Sequence, residues 1–154
     1  MRAEHSVLVV ESDASLRRSL EKFLNQAGYA FSGCSTAAQA LALAQKAIPD
    51  VVIADYHLPD ANGRSLIEML NLLAPEAVII VLSEYDYQTL VGDLYRCRIG
   101  TFLKKPFDLV DFEAALRSAW AEAGSNPTED ERLPEAKVQG VPASTLSQGT
   151  FRDR

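Results

Sequence analysis

The stretch Pro49-Asp50-Val51-Val52-Ile53-Ala54-Asp55-Tyr56-His57-Leu58-Pro59-Asp60-Ala61-Asn62-Gly63 decides how the chain is read. Four apolar residues, Val51 to Ala54, follow Pro49-Asp50 and precede a carboxylate. That is the pattern of a short strand buried on both faces. Asp55 stands where the strand ends, and Leu58 to Gly63 has the Pro, Asp, Asn and Gly punctuation of a tight surface loop. In an open parallel α/β sheet, ligand chemistry sits just outside the carboxyl ends of the strands. Asp55 is therefore a candidate nucleophile or metal ligand. Taken alone, such an aspartate is more often a turn cap, so the rest of the chain has to decide.

The same pattern repeats on either side. Val7 to Val10 reads as a first strand ending in Glu11-Ser12-Asp13, and a helix follows with Leu16, Leu20, Phe23, Leu24 and Ala27 on one face. Asp13 or Ser12 can cap that helix and Gly28 can close it. Tyr29 to Cys34 is a weaker second strand. An alanine-rich helix begins at Ser35 or Thr36, with Ala40, Leu41, Ala44 and Ile48 inward, and Pro49 stops it. After Gly63 comes a helix with Leu66, Leu70 and Leu73 on one face, broken at Pro75. Ala77 to Leu82 is a fourth strand that delivers Ser83. Tyr87 to Arg98 is a poor helix with Gly92 inside it, and Ile99 to Leu103 is a fifth strand ending in Lys104-Lys105-Pro106. Asp108 caps a last helix with Leu109, Phe112, Leu116 and Trp120 aligned. Five alternations of short apolar strand and amphipathic helix imply a doubly wound parallel sheet with helices on both faces.

Residues 1–123 are expected to form this one domain, and residues 124–154 a flexible linker or tail. The latter carries Pro127, Pro134 and Pro142, little apolar content and mixed charge. Such a tail fits a stand-alone chain, and slightly better the linker to the rest of a longer protein. Across 154 residues the chain is 47% hydrophobic and 23% charged, with a net charge of −6. That balance is globular and excludes broad electrostatic binding of nucleic acid, which needs clustered Lys and Arg. Cys34 and Cys97 show neither metal spacing nor a disulfide framework, which favours a reducing compartment. No apolar run is long enough to serve as a signal peptide or to cross a membrane, so a cytoplasmic location is expected.

The strand ends carry the chemistry: Glu11, Ser12 and Asp13, then Asp55, Ser83 and Lys105. Strands of a parallel sheet point their carboxyl ends the same way, so these groups can converge. Carboxylates beside a loop carbonyl suit a hard cation such as Mg²⁺, and a lysine with a hydroxyl can hold phosphoryl oxygens.

From Ser6 to Ala123 the chain resembles the receiver domain of two-component response regulators, the chemotaxis-regulator kind included. The matching pieces are Val7–Asp13, Pro49–Asp55, Leu58–Gly63, Val81-Leu82-Ser83 and Phe102–Phe107, in the family's order and spacing. The resemblance implies a flavodoxin-like five-stranded sheet of order 2-1-3-4-5. It implies a phosphoprotein in a phosphorelay, with Asp55 as phosphoacceptor for a sensor histidine kinase or phosphotransfer protein. Mg²⁺ would be held by Glu11, Ser12, Asp55 and the backbone carbonyl of His57. Ser83 and Lys105 would contact the phosphoryl group, and Ser83 with Phe102 would form the switch. The face of the fourth helix, fifth strand and fifth helix would dock partners or a second copy of the chain. Such a domain is a signalling switch, not a turnover enzyme, and this chain would not bind nucleic acid directly.

The family usually opens with adjacent aspartates after the first strand. Here they are Glu11 and Ser12, and fewer ligand charges imply weaker Mg²⁺ binding. Glu84 stands where a small residue is usual, and His57 with Tyr85 occupies positions that tune hydrolysis of the acyl phosphate. The alternative reading is thus a degenerate receiver acting as a phosphorylation-independent interaction module. A phosphatase of the haloacid dehalogenase kind is a third reading, disfavoured because Glu11-Ser12-Asp13 lacks the leading nucleophilic Asp. A flavin carrier is disfavoured because no phosphate-cradling loop follows the first strand.

Overall fold

The computed structural model describes residues 6–123, and the expected tail over 124–154 lies outside them. Strand and helix alternate as β1 (Ser6–Val10), α1 (Ala14–Gln26), β2 (Ala30–Cys34), α2 (Ala37–Lys46), β3 (Val51–Asp55) and α3 (Gly63–Leu73). Then come β4 (Val78–Ser83), α4 (Tyr87–Leu94), β5 (Thr101–Lys104) and α5 (Leu109–Ala123). The sheet has five strands in the order β2-β1-β3-β4-β5, the flavodoxin-like order that the resemblance implied. The described residues divide after Ala77 into two compact units.

In the first unit, β1 is the hub. It runs parallel to β2 from Ser6 opposite Ala30 to Val10 opposite Cys34, and parallel to β3 from Val7 opposite Val51 to Val10 opposite Ala54. Asp50 locks the start of that register, because the Ser6 amide donates to Asp50 Oδ2 at 2.9 Å and the Asp50 amide to the Ser6 carbonyl at 3.0 Å. Every residue of β3 is buried, as its uninterrupted apolar run requires. Over this sheet, α1 buries Leu20 and Leu24, and α2 buries Ala37, Ala40 and Ala44.

Each helix of this unit starts on a side-chain cap. Asp13 accepts from the Ser15 and Leu16 amides, Thr36 from Gln39, and Asn62 from Ser65. At its other end α1 closes through Gly28 at φ 88°, a conformation that only glycine adopts at little cost. The Tyr29 amide reaches the Leu24 carbonyl and the Gly28 amide the Asn25 carbonyl, which satisfies two orphan acceptors.

In the second unit, β4 and β5 pair in parallel from Ile80 opposite Thr101 to Ser83 opposite Lys104. All six residues of β4 are buried. Asp108 caps α5 by accepting from the Asp111 amide at 2.9 Å. Phe112, Ala115, Leu116 and Ala119 form the inward face of α5.

Several boundaries differ from the sequence expectation. The second helix ends at Lys46, before Ile48, so Ile48 is carried outward and is 44% exposed. The fourth helix stops at Leu94 rather than Arg98. Gly92 weakens it, and the chain must turn at Cys97 to enter β5. The fifth strand is displaced to Thr101–Lys104. Ala27 and Leu109, expected inward, are exposed because each lies at a helix end.

Candidate functional site

Register places the acidic groups. Val10 pairs with Ala54, so Glu11 and Asp55 are the next residues on adjacent parallel strands, and both side chains are buried. The ladder also extends one step, with the Glu11 amide donating to the Cys34 carbonyl at 3.0 Å. Buried carboxylates need donors, since an unsatisfied buried charge is costly. Asp55 Oδ2 accepts from the Ser12 hydroxyl at 3.1 Å, and Oδ1 accepts from the His57 amide at 3.1 Å. Glu11 Oε2 accepts from the Asp13 amide at 3.0 Å. Both oxygens of the candidate nucleophile are thereby oriented by residues next to it, one from each strand end.

Among the expected groups, Glu11, Ser12, Asp55 and His57 lie together in this first unit. Ser12 and the His57 side chain are exposed, and the His57 ring meets the Tyr56 ring edge-on with centroids 5.2 Å apart. Asp13 faces its helix as a cap. Glu11, Asp55, the Ser12 hydroxyl and the His57 carbonyl are all hard oxygen donors, a set that fits a divalent cation keeping several waters. Only two of the four are anionic. Among the described residues no group of three or more His, Cys, Asp or Glu side chains is placed to hold a metal ion.

The other expected groups belong to the second unit. Ser83 ends β4 fully buried, its hydroxyl accepting from the Tyr85 amide at 3.0 Å. The Lys105 amide donates to the Ser83 carbonyl at 2.7 Å, which fixes the start of the Lys105-Pro106 turn beside that hydroxyl. The Lys105–Pro106 bond is cis. Phe102 is buried in β5 and packs edge-on against Tyr87 with centroids 5.7 Å apart. Glu84 and Tyr85 are exposed. Asp86, at the N-cap position of α4, makes no side-chain cap bond, and its Oδ1 pairs with Lys104 Nζ at 2.8 Å.

Two residues outside the expected set touch the acidic half. Arg17 Nη1 donates to the Glu11 carbonyl at 2.7 Å. Asp60 reaches across to α2, where Oδ1 accepts from the Ala37 amide at 2.9 Å and Oδ2 from the Ala38 amide at 3.0 Å. These two amides hold the Asp60 carboxyl below its ordinary range, Ala37 contributing most. No local sequence signal marks this contact: the Thr36 cap serves only the third amide of α2, and an acceptor for the first two can come from any part of the chain.

Both cysteines are buried, in keeping with a packing role. Burial pushes the Cys34 thiol up to about 11. No described helix is long and apolar enough to cross a membrane.

Residues 7–117 match the family described as the response regulator receiver domain. The chemotaxis protein CheY of Thermotoga maritima is 31% identical over 102 residues, which cover 66% of this chain and 85% of that protein. The photosynthetic apparatus regulatory protein RegA of Cereibacter sphaeroides is 27% identical over 114 residues, covering 74% of this chain but only 62% of RegA. Among solved structures, the signal receiver domain of an HD domain-containing protein from Pseudomonas fluorescens Pf-5 superposes with a TM-score of 0.75. It is 28% identical and covers 86% of this chain and 96% of its own.

Proposed function

Because the chain belongs to the response regulator receiver domain family, we propose that it is a phosphoacceptor switch of a two-component phosphorelay, phosphorylated on Asp55. The observation that carries this reading is the Asp55 carboxylate, 2% exposed at the end of β3 with a hydrogen-bond donor on each oxygen. Such preorientation leaves little motion to freeze out in an in-line attack.

In the proposed step an Asp55 oxygen attacks the phosphorus of a phosphohistidine on a sensor kinase or phosphotransfer protein. The new O–P bond forms as the P–N bond breaks, and the electron pair leaves with the imidazole nitrogen, which takes a proton from solvent. Glu11, Asp55, Ser12 and the His57 carbonyl would hold Mg²⁺, which when bound offsets charge on the transferring phosphoryl group. Lys105 and Ser83 are assigned to the phosphoryl oxygens, the lysine as a point charge and the hydroxyl as a donor. Donation from Ser83 requires its hydroxyl to turn toward the new group, and Phe102 would follow that movement. A phosphoryl charge of about −1.5 to −2 is large enough to bias such a two-state loop. The rearranged face would be α4, β5 and α5, open to a partner or a second copy of the chain. We place the protein in the cytoplasm, acting as a phosphoacceptor and not as a turnover enzyme.

Acetyl phosphate with Mg²⁺, followed by intact mass, tests the assignment. One phosphoryl adduct is expected on the wild type and none on Asp55→Asn. An adduct on both, or on neither, overturns it. A second reading has its own observation, the neutral Ser12 hydroxyl bound to Asp55 Oδ2 where the family usually has an acid. Under it the domain docks partners without phosphorylation, and beryllofluoride with Mg²⁺ would fail to bind.

A further inference from the structure

The loop that follows the candidate phosphoacceptor is held at three points. Its second residue, His57, donates its amide to Asp55 Oδ1. His57 and Asn62 form an isolated antiparallel bridge that closes the loop on itself, and Asn62 then caps α3 at 2.8 Å. Between those closures Asp60 spends both carboxylate oxygens on α2, a helix that begins 23 residues earlier in the chain.

The amide accounting at α2 shows what this third contact supplies. The Thr36 hydroxyl takes the Gln39 amide and the Thr36 carbonyl takes the Ala40 amide. The Ala37 and Ala38 amides are left for a group from elsewhere, and Asp60 provides it with one oxygen for each. A negative charge at a helix N-terminus is favoured by the helix dipole as well as by the two bonds. From the loop's side, these two bonds tie the stretch between its closed ends to a rigid element other than α3.

We propose that Asp60 is a positioning residue: by gripping the N-terminus of α2 it fixes the His57 main chain against Asp55. It touches neither the phosphoryl group nor the cation. It acts through His57, whose amide orients the Asp55 carboxylate and whose carbonyl is assigned to the cation. This role rests on the reading of Asp55 as phosphoacceptor, but the grip itself can be measured without phosphorylation.

The experiment compares wild type, Asp60→Ala, Asp60→Asn and Thr36→Ala. The last removes a cap of α2 while leaving the loop tether in place. Amide hydrogen exchange at His57 is read without Mg²⁺ and referenced to the Val52 amide, which reports global opening. Asp60→Ala is expected to speed relative exchange at His57 by about tenfold, the local-opening equivalent of losing roughly one hydrogen bond to a charged group. Asp60→Asn, which keeps oxygen acceptance for one amide, falls between, and Thr36→Ala leaves the ratio unchanged. No change in Asp60→Ala, or an equal change in Thr36→Ala, overturns the proposal, since the effect would then be absent or merely helix stability.

Mg²⁺ affinity and the acetyl phosphate rate are then measured in the same set. A loss of about tenfold in Asp60→Ala alone is expected. A wild type that takes up phosphoryl groups no faster than Asp60→Ala overturns the positioning role. A wild type that takes up none sinks the phosphoacceptor reading instead, and His57 exchange still decides the grip.

Discussion

The Ser12 hydroxyl donates to Asp55 Oδ2 at 3.1 Å, joining the end of β1 to the end of β3 through a neutral group. An acid in place of Ser12 would bring a third carboxylate to a pair already buried. Without a cation, like charges so close are mutually destabilising. With a cation, the extra charge strengthens coordination. Ser12→Asp should therefore lower the melting temperature in chelator and bind Mg²⁺ about tenfold more tightly than wild type. Thermal shifts and fluorescence titrations with and without Mg²⁺ check both halves. Equal affinity in the two proteins would contradict the account of this site.

The lifetime of a phosphorylated Asp55 should depend on the side chains of His57 and Tyr85. Both are exposed and bulky, and under the proposed function both are assigned to screening the acyl phosphate from water. His57→Ala with Tyr85→Ala should lose the phosphoryl group roughly tenfold faster, a barrier change of about 1.4 kcal/mol. Intact-mass decay after removal of acetyl phosphate is the measurement. Equal decay in both proteins would remove these residues from the hydrolytic step.

Gly63 should tolerate no side chain. An added Cβ would stand 2.8 Å from the Tyr56 Cα, which is backbone and cannot swing aside. Gly63→Ala should cost about 1–3 kcal/mol by overpacking. Gly28→Ala, strained by its φ of 88° with nothing in the way of a Cβ, should cost about 1 kcal/mol. Urea midpoints at constant slope would give both values, and a Gly63→Ala midpoint equal to wild type would refute the close approach.

Alkaline stability should carry the mark of Cys34. Its thiol is raised from 9.0 to about 11 by burial, so between those values the unfolded chain has released a proton that the native state keeps. Stability therefore falls as pH rises through this window, and this group adds no further loss above it. Cys34→Ala should flatten the fall relative to wild type in denaturant titrations at pH 8, 9 and 10. An identical slope would contradict the assignment. The same burial makes Cys34 slow to alkylate at pH 8 until the protein unfolds.

The strands with unbroken apolar runs, Val7–Val10, Val51–Ala54 and Val78–Leu82, were readable because burial on both faces leaves that trace in composition. The caps at Asp13, Thr36 and Asp108 were readable because capping is local. What escaped is either marginal or distant. Ile48 looked like one more inward residue, but the helical period says nothing once the helix has ended at Lys46. Gly92 flagged a weak α4 without saying where it stops. Asp60 read as loop punctuation, because an acceptor for the Ala37 and Ala38 amides can come from anywhere in the chain. The same holds for Arg17 on the Glu11 carbonyl and for Lys104 on Asp86.

The pairing of Asp86 with Lys104 has a consequence for α4. A carboxylate engaged there does not shield the first amides of that helix, which is only eight residues long and buries only Leu90 and Leu94. Helix α5, by contrast, has fifteen residues and four buried side chains. Fraying α4 sacrifices little apolar contact and leaves the Ile80–Ser83 ladder with β5 standing. The second unit thus sets a short, lightly anchored helix beside a firmly packed frame, and under the proposed function only the former has to be redrawn when a signal arrives.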